Sequence, residues 1–250
     1  MICFNGQAVL LDIEGTTSSV SFVYDQMFPF ARRELEAFLE LNWQDSEVQQ
    51  AADWIAQDAG HTSLSAWCGE RVSARQIKLV RDEVVRLMDG DVKATGLKQL
   101  QGLIWKRGFE SGELQAHLFG EVAENLRRWH AAGIDIRIYS SGSVQAQKLF
   151  FGHTIDGDLL SLFRGHYDTT IGAKREASSY CAIASDYQIP PQQILFLSDI
   201  PAELDAALEA GLQTALCRRP GNAAVNSDHG HDVIDGFSEV QWSVGRPSSR

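Results

Sequence analysis

Short apolar runs, each cut off by polar or glycine residues, set the rhythm of this chain. Ala8-Val9-Leu10-Leu11 stops at Asp12, Ile134 to Tyr139 stops at Ser140-Ser141-Gly142, and Gln193 to Leu197 stops at Ser198-Asp199. Gln213 to Cys217 is a weaker run of the same kind. Short apolar runs bounded by polar and glycine residues predict buried strands of a parallel sheet. Between the later runs the period lengthens: Val144 to Phe151, Glu176 to Tyr187 and Ala202 to Ala210 read as helices, the last stopped by Gly211. Strand alternating with helix predicts an α/β fold with a doubly wound, Rossmann-like parallel sheet. Ligands of such sheets sit beyond the carboxyl ends of the strands, where Asp12, Ser140 and Asp199 fall.

From about Ser18 to Gly120 the pattern changes. Met27 to Leu41, Ser46 to Asp58, Ser73 to Met88 and Thr95 to Phe109 read as successive helices, with no competing strand signal. Ile77, Val80, Val84 and Leu87 fall three and four apart, as one buried helix face requires. We therefore expect residues 18–120 to form an all-helical domain inserted after the first strand. Residues 1–17 and 121–250 then make the α/β core, which the helix Glu121 to Ala132 re-enters. Trp43, Trp54, Trp67, Trp105 and Trp129 lie at helical spacing or at helix ends and read as core. The polar tail after Arg218 reads as loop apart from a short Val233-Ile234 segment. It carries His229-Gly230-His231, which has the look of a metal pair but no nearby third ligand.

Charge narrows the partners. With 22 Lys+Arg against 33 Asp+Glu, the net charge is −11, and phosphate backbones are bound through excess basic residues, so nucleic acid is excluded. Cys3, Cys68, Cys181 and Cys217 never approach the spacing of a zinc site or disulfide framework, and they are expected reduced and mostly buried. The first residues lack the features of a signal peptide. No apolar run nears the roughly 20 residues that a membrane helix needs. A cytoplasmic protein is expected, with no membrane partner.

Chemistry enters with position. Asp12 and Glu14, in Asp12-Ile13-Glu14-Gly15-Thr16-Thr17, put two carboxylates at a strand end. Such oxygens suit Mg²⁺, or nucleophilic attack on phosphorus by one acid with proton donation by the other. Alone, such a pair reads more readily as a solvated turn. Ser140-Ser141-Gly142-Ser143 opens a helix, as a phosphate site does or as simple capping by Ser143 does. Lys174 precedes a helix and would neutralise phosphate, or be a surface lysine; Asp199 would ligate metal, or cap the helix beginning near Pro201.

The order acid pair, hydroxyl, lysine, acid resembles that of the haloacid dehalogenase superfamily. Within it, the chain is similar to the enolase-phosphatase family through Leu11 to Thr17, Leu97 to Gly102, Tyr139 to Leu149, Gly152-His153 and Leu195 to Asp199. The resemblance implies an α/β core carrying an inserted helical cap, and one Mg²⁺. It implies Asp12 as nucleophile and Mg²⁺ ligand, and Glu14 as general acid/base grouped with the metal site. Ser140 and Ser141 would hold phosphate or the substrate's polar end, Lys174 would hold phosphate, and Asp199 would hold Mg²⁺. Ile200 stands where many relatives have a second aspartate, leaving Glu203 as the candidate supporting acid. The implied substrate is the phosphorylated diketone 2,3-diketo-5-methylthiopentyl 1-phosphate of methionine salvage, enolised and then dephosphorylated by a monomer. A phosphatase of another small phosphomonoester, or an inactive binding module on the same fold, shares these residues.

Overall fold

The computed structural model describes residues 1–69, 72–226 and 229–242. Its strands are β1 Ile2–Phe4, β2 Ala8–Leu11, β3 Asp135–Tyr139, β4 Gly165–Tyr167, β5 Ile194–Ser198, β6 Gln213–Cys217, β7 Asp232–Ile234 and β8 Val240–Trp242. Its α-helices are α1 Val20–Phe22, α2 Phe28–Asn42, α3 Ser46–Asp58, α4 Leu64–Cys68 and α5 Ser73–Asp89. They continue with α6 Thr95–Ser111, α7 Val122–Ala131, α8 Val144–Gly152, α9 Ala177–Tyr187 and α10 Pro201–Glu209. The chain divides into two compact units, residues 1–23 with 115–250, and residues 24–114. The sequence pattern places these changes at 17/18 and 120/121 instead.

In the first unit a six-stranded sheet runs in the order β4-β3-β2-β5-β6-β7, every pair parallel. Every residue of β2 and β5 is buried, as their unalternating apolar sequences require. Leu11 pairs with Ile138 on one side and Leu197 on the other, so the chain leaves three neighbouring strands at one level. Tyr139, Tyr180, Ile183, Phe196, Leu204 and Leu212 pack together in the core. Burying each of the large apolar side chains contributes roughly 1.5–3 kcal/mol. Ser143 caps α8 by accepting the Ala146 N–H at 3.2 Å, and Pro201 starts α10 without sacrificing a helical hydrogen bond.

The second unit is helical. Val80, Val84 and Leu87 are buried on α5, with Ile77 half-buried at the edge of that face. Gly96 lets α6 approach α3 closely, since a Cβ there would lie 2.4 Å from the Ile55 backbone nitrogen. Asp58 locks the approach by accepting the Gly96 N–H at 2.8 Å.

Several expectations need correction. Three short strands escape the sequence pattern: β1, β4 and β8, the last in the tail read as loop. Val240–Trp242 pairs in parallel with Ile2–Phe4, joining residues near opposite ends of the chain. Trp43 and Trp129 are core, whereas Trp54, Trp67 and Trp105 are half-buried; the Trp105 N–H donates to the Met27 carbonyl at 2.8 Å. All four cysteines are free, but only Cys68 and Cys217 are buried. His231 is a structural residue: its ring bonds Thr214 Oγ1 at 2.8 Å and Asp205 at 3.1 Å. Among the described residues no helix is long and apolar enough to cross a membrane.

Candidate active site

Beyond β2 the chain turns at once. The N–H groups of Thr16, Thr17 and Ser18 all donate to the Ile13 carbonyl, and Gly15 takes the left-handed conformation, φ 72°. A side chain at Gly15 is excluded twice over, because its Cβ would also meet the Asp199 carboxylate at 2.3 Å. The turn holds Asp12 buried at the strand end, with the Ile13 N–H donating to Asp12 Oδ1 at 2.8 Å.

Lys174 reaches the same oxygen. Its Nζ lies 2.7 Å from Asp12 Oδ1 and 2.7 Å from Glu203 Oε2, with all three side chains nearly inaccessible. The lysine is positioned by its own backbone. Hydroxyls of Tyr139, Ser179 and Tyr180 donate in turn to the carbonyls of Gly172, Ala173 and Lys174 at 2.9, 2.8 and 2.7 Å. Glu203, in the first turn of α10, also accepts the Ser198 hydroxyl at 3.0 Å. Ser140 is buried and contacts Glu14 Oε2 at 3.4 Å, while its own Oγ accepts the Gly142 N–H at 3.2 Å. Ser141 is exposed.

Electrostatically this end of the sheet is over-supplied with acid. Burial, then the Asp12 charge, pushes Asp199 up to about 7. The same two causes push Glu203 up to about 7 and raise Glu14. Lys174 moves upward despite its burial, because Asp12 and Glu203 flank it. A group of acids that resist ionising beside one lysine is a site short of positive charge. Among the described residues no three His, Cys, Asp or Glu side chains converge to enclose a metal. Mg²⁺ does not ask for that, since it commonly takes one or two carboxylates and keeps several waters. Asp12 and Asp199 fit that demand, and Glu14 is engaged with Ser140 instead of completing a three-acid cage.

Asp12, Glu14, Ser140, Lys174 and Asp199 therefore gather at one end of the sheet. Asp199 does not cap α10, whose N-cap position is Ile200 without a side-chain bond. Residues that sequence reasoning passed over are the three hydroxyls behind Lys174, and Arg219 and Asn222 from the loop after β6. A tyrosine at a strand end, and a serine and a tyrosine within a helix, carry no local mark of such a role.

A buried carboxylate at the first strand end, a lysine bridging it to a second acid, and an aspartate at a neighbouring strand end define a hydrolase site of recognisable class. The description "haloacid dehalogenase-like hydrolase" matches residues 7–211, and the chain belongs to that family. Among its relatives is the enolase-phosphatase E1 of Synechococcus elongatus, 48% identical over 220 residues, covering 87% of this chain and 90% of that protein. The enolase-phosphatase E1 of Drosophila ananassae is 42% identical over 236 residues, 94% of each chain. The crystal structure of the Saccharomyces cerevisiae UTR4 protein superposes with a TM-score of 0.78 at 34% identity, covering 94% of this chain and 100% of that one.

Proposed function

We propose that this protein is a bifunctional enolase-phosphatase acting in methionine salvage. It enolises 2,3-diketo-5-methylthiopentyl 1-phosphate and then hydrolyses the phosphate ester, yielding 1,2-dihydroxy-3-keto-5-methylthiopentene and inorganic phosphate. The observation that carries the phosphatase half is the buried Asp12–Lys174–Glu203 triad. Lys174 and the Ile13 N–H both engage Oδ1 of Asp12, leaving Oδ2 to attack phosphorus. The ester P–O bond breaks as the P–Oδ2 bond forms, and Glu14 protonates the departing oxygen. Its raised affinity for a proton suits it to that donation. Glu14 then takes a proton from water as that water attacks phosphorus, freeing phosphate and restoring Asp12. Ser140 and Ser141 hold the substrate's polar end, and Lys174 keeps Asp12 ionised and oriented while offering charge to the phosphate.

Asp12 and Asp199 would hold one Mg²⁺, with Glu14 at its edge. When bound, the ion supplies the positive charge that lets a phosphate dianion approach these acids. Residues 24–114 we read as a cap that admits this substrate. The unpaired thiols suit a reducing, cytoplasmic setting, and the enzyme acts as a monomer. A substrate panel tests the reading. Phosphate release is expected with the diketone phosphate in Mg²⁺ and not in EDTA; turnover of simple sugar phosphates alone would overturn it.

A further inference from the structure

The loop after β6 grips the Asp12 turn from behind. Arg219 Nε donates to the Thr16 carbonyl at 3.1 Å, and Asn222 Nδ2 donates to the neighbouring Gly15 carbonyl at 2.9 Å. Nδ2 also serves the Cys217 carbonyl at 3.1 Å, so two acceptors fix which end of the amide is nitrogen. The other end, Asn222 Oδ1, is buried and has no hydrogen-bond partner. Oδ1 lies 3.0 Å, and Asp199 Oδ2 2.3 Å, from the same point, the place a Gly15 side chain would fill. The missing Gly15 side chain lets the Asp199 carboxylate and Asn222 Oδ1 both lie against the same turn, and the unserved Asn222 oxygen calls for a hydrogen donor. A buried acceptor left unserved is destabilising, and a donor arriving with a ligand relieves that cost.

We infer that Asn222 is a positioning residue for the cation: Nδ2 fixes the Gly15 turn, and Oδ1 accepts a hydrogen bond from a water of the cation's shell beside Asp199. The inference rests on the Mg²⁺ reading above. Groups behind the direct ligands commonly govern metal affinity by about 10–100-fold. Asn222 acts on the ion through water and through the loop, without touching substrate.

The test is a titration of the full chain with MgCl₂, followed by thermal melting and calorimetry and including no substrate. Wild type is expected to bind; failure to bind would overturn the Mg²⁺ reading itself. Asn222→Ala should weaken Mg²⁺ binding at least about ten-fold, and shrink the Mg²⁺-dependent rise in Tm, beyond any fall in Tm in EDTA. Asn222→Asp keeps an oxygen acceptor and loses the Nδ2 donors, so it should bind Mg²⁺ at least about ten-fold more tightly than Asn222→Ala. A purely structural asparagine would lower Tm in EDTA in both variants and leave wild-type Mg²⁺ affinity within two-fold, and that result would overturn the inference. So would equal weakening in both variants. Should Asn222→Ala fail to fold, Asn222→Leu, which keeps the volume and has no acceptor, takes its place: a ten-fold loss of Mg²⁺ affinity against wild type supports the acceptor role, and affinity within two-fold of wild type removes it.

Discussion

Replacing Lys174 by methionine removes the cation paired with Asp12 and Glu203 from a buried acid cluster while keeping much of its volume. Lys174 contacts Asp12 and Glu203 at 2.7 Å each, and the three side chains expose 9%, 5% and 11% of their surface. Breaking a buried ion pair from one side costs about 3–5 kcal/mol, because the partner stays buried without compensation. The loss must depend on pH in a definite direction. Glu203 already titrates near 7 in the folded protein, against 4.5 for an ordinary glutamate, and Lys174 is among the groups holding it down. Without the lysine its folded pKa rises further. From pH 4.5 upward the unfolded chain releases a proton that the folded variant retains, so the variant's stability falls as pH rises. At pH 5 the acid is neutral in the folded variant, and the deficit should shrink to below about 2 kcal/mol. Urea unfolding in EDTA, followed by far-UV circular dichroism at pH 5 and pH 8, measures this. With a slope of about 2 kcal/mol per molar urea, the midpoint at pH 8 should drop by about 2 M. Equal losses at both pH values, or none at pH 8, would refute the reasoning.

Tyr180→Phe strands the Lys174 carbonyl and should cost about 1–3 kcal/mol in the same melts, and lower kcat more than it raises KM. Gly15→Ala combines a left-handed φ with a Cβ against Asp199; a loss of at least about 1–2 kcal/mol and a weakened Mg²⁺-dependent rise in Tm are expected in thermal melts. His166 is pushed down to about 4 by burial, with Lys148 adding to the effect. The stability that its neutral form contributes is present above 6.5 and is lost as pH falls toward 4, so His166→Gln should flatten that part of the stability profile measured by urea titration.

The middle of the sheet was legible because β2 is wholly apolar and β5 is apolar up to its last residue. Ala8–Leu11 and Ile194–Ser198 are buried in every residue, so their patterns do not alternate and end sharply at Asp12 and Asp199. β4 is different. Its sequence, Gly-His-Tyr, lies half-buried at the sheet edge, where one neighbour suffices and no apolar run is required. β1 and β8 are likewise three-residue strands that exist only because they find each other across the whole chain. At the site, Asp12, Glu14, Lys174 and Asp199 carried a signal through strand ends and charge. Glu203 was visible only as an acid near a helix start, and its hold on Lys174 depends on a contact 29 positions back along the chain that spacing does not encode. The grip of Tyr139, Ser179 and Tyr180 on three successive carbonyls depends on how α9 lies over the sheet, which follows from packing.

That Asp12 is the nucleophile, carrying the phosphoryl group between two steps, is tested most directly by looking for phosphorus on it. Protein mixed with the diketone phosphate and Mg²⁺ is quenched in acid within a single turnover, digested, and analysed by mass spectrometry. The peptide containing Asp12 should carry one phosphoryl group, absent in Asp12→Asn, which should release no phosphate while melting as a folded protein. Phosphate release at the wild-type rate by Asp12→Asn would contradict the account.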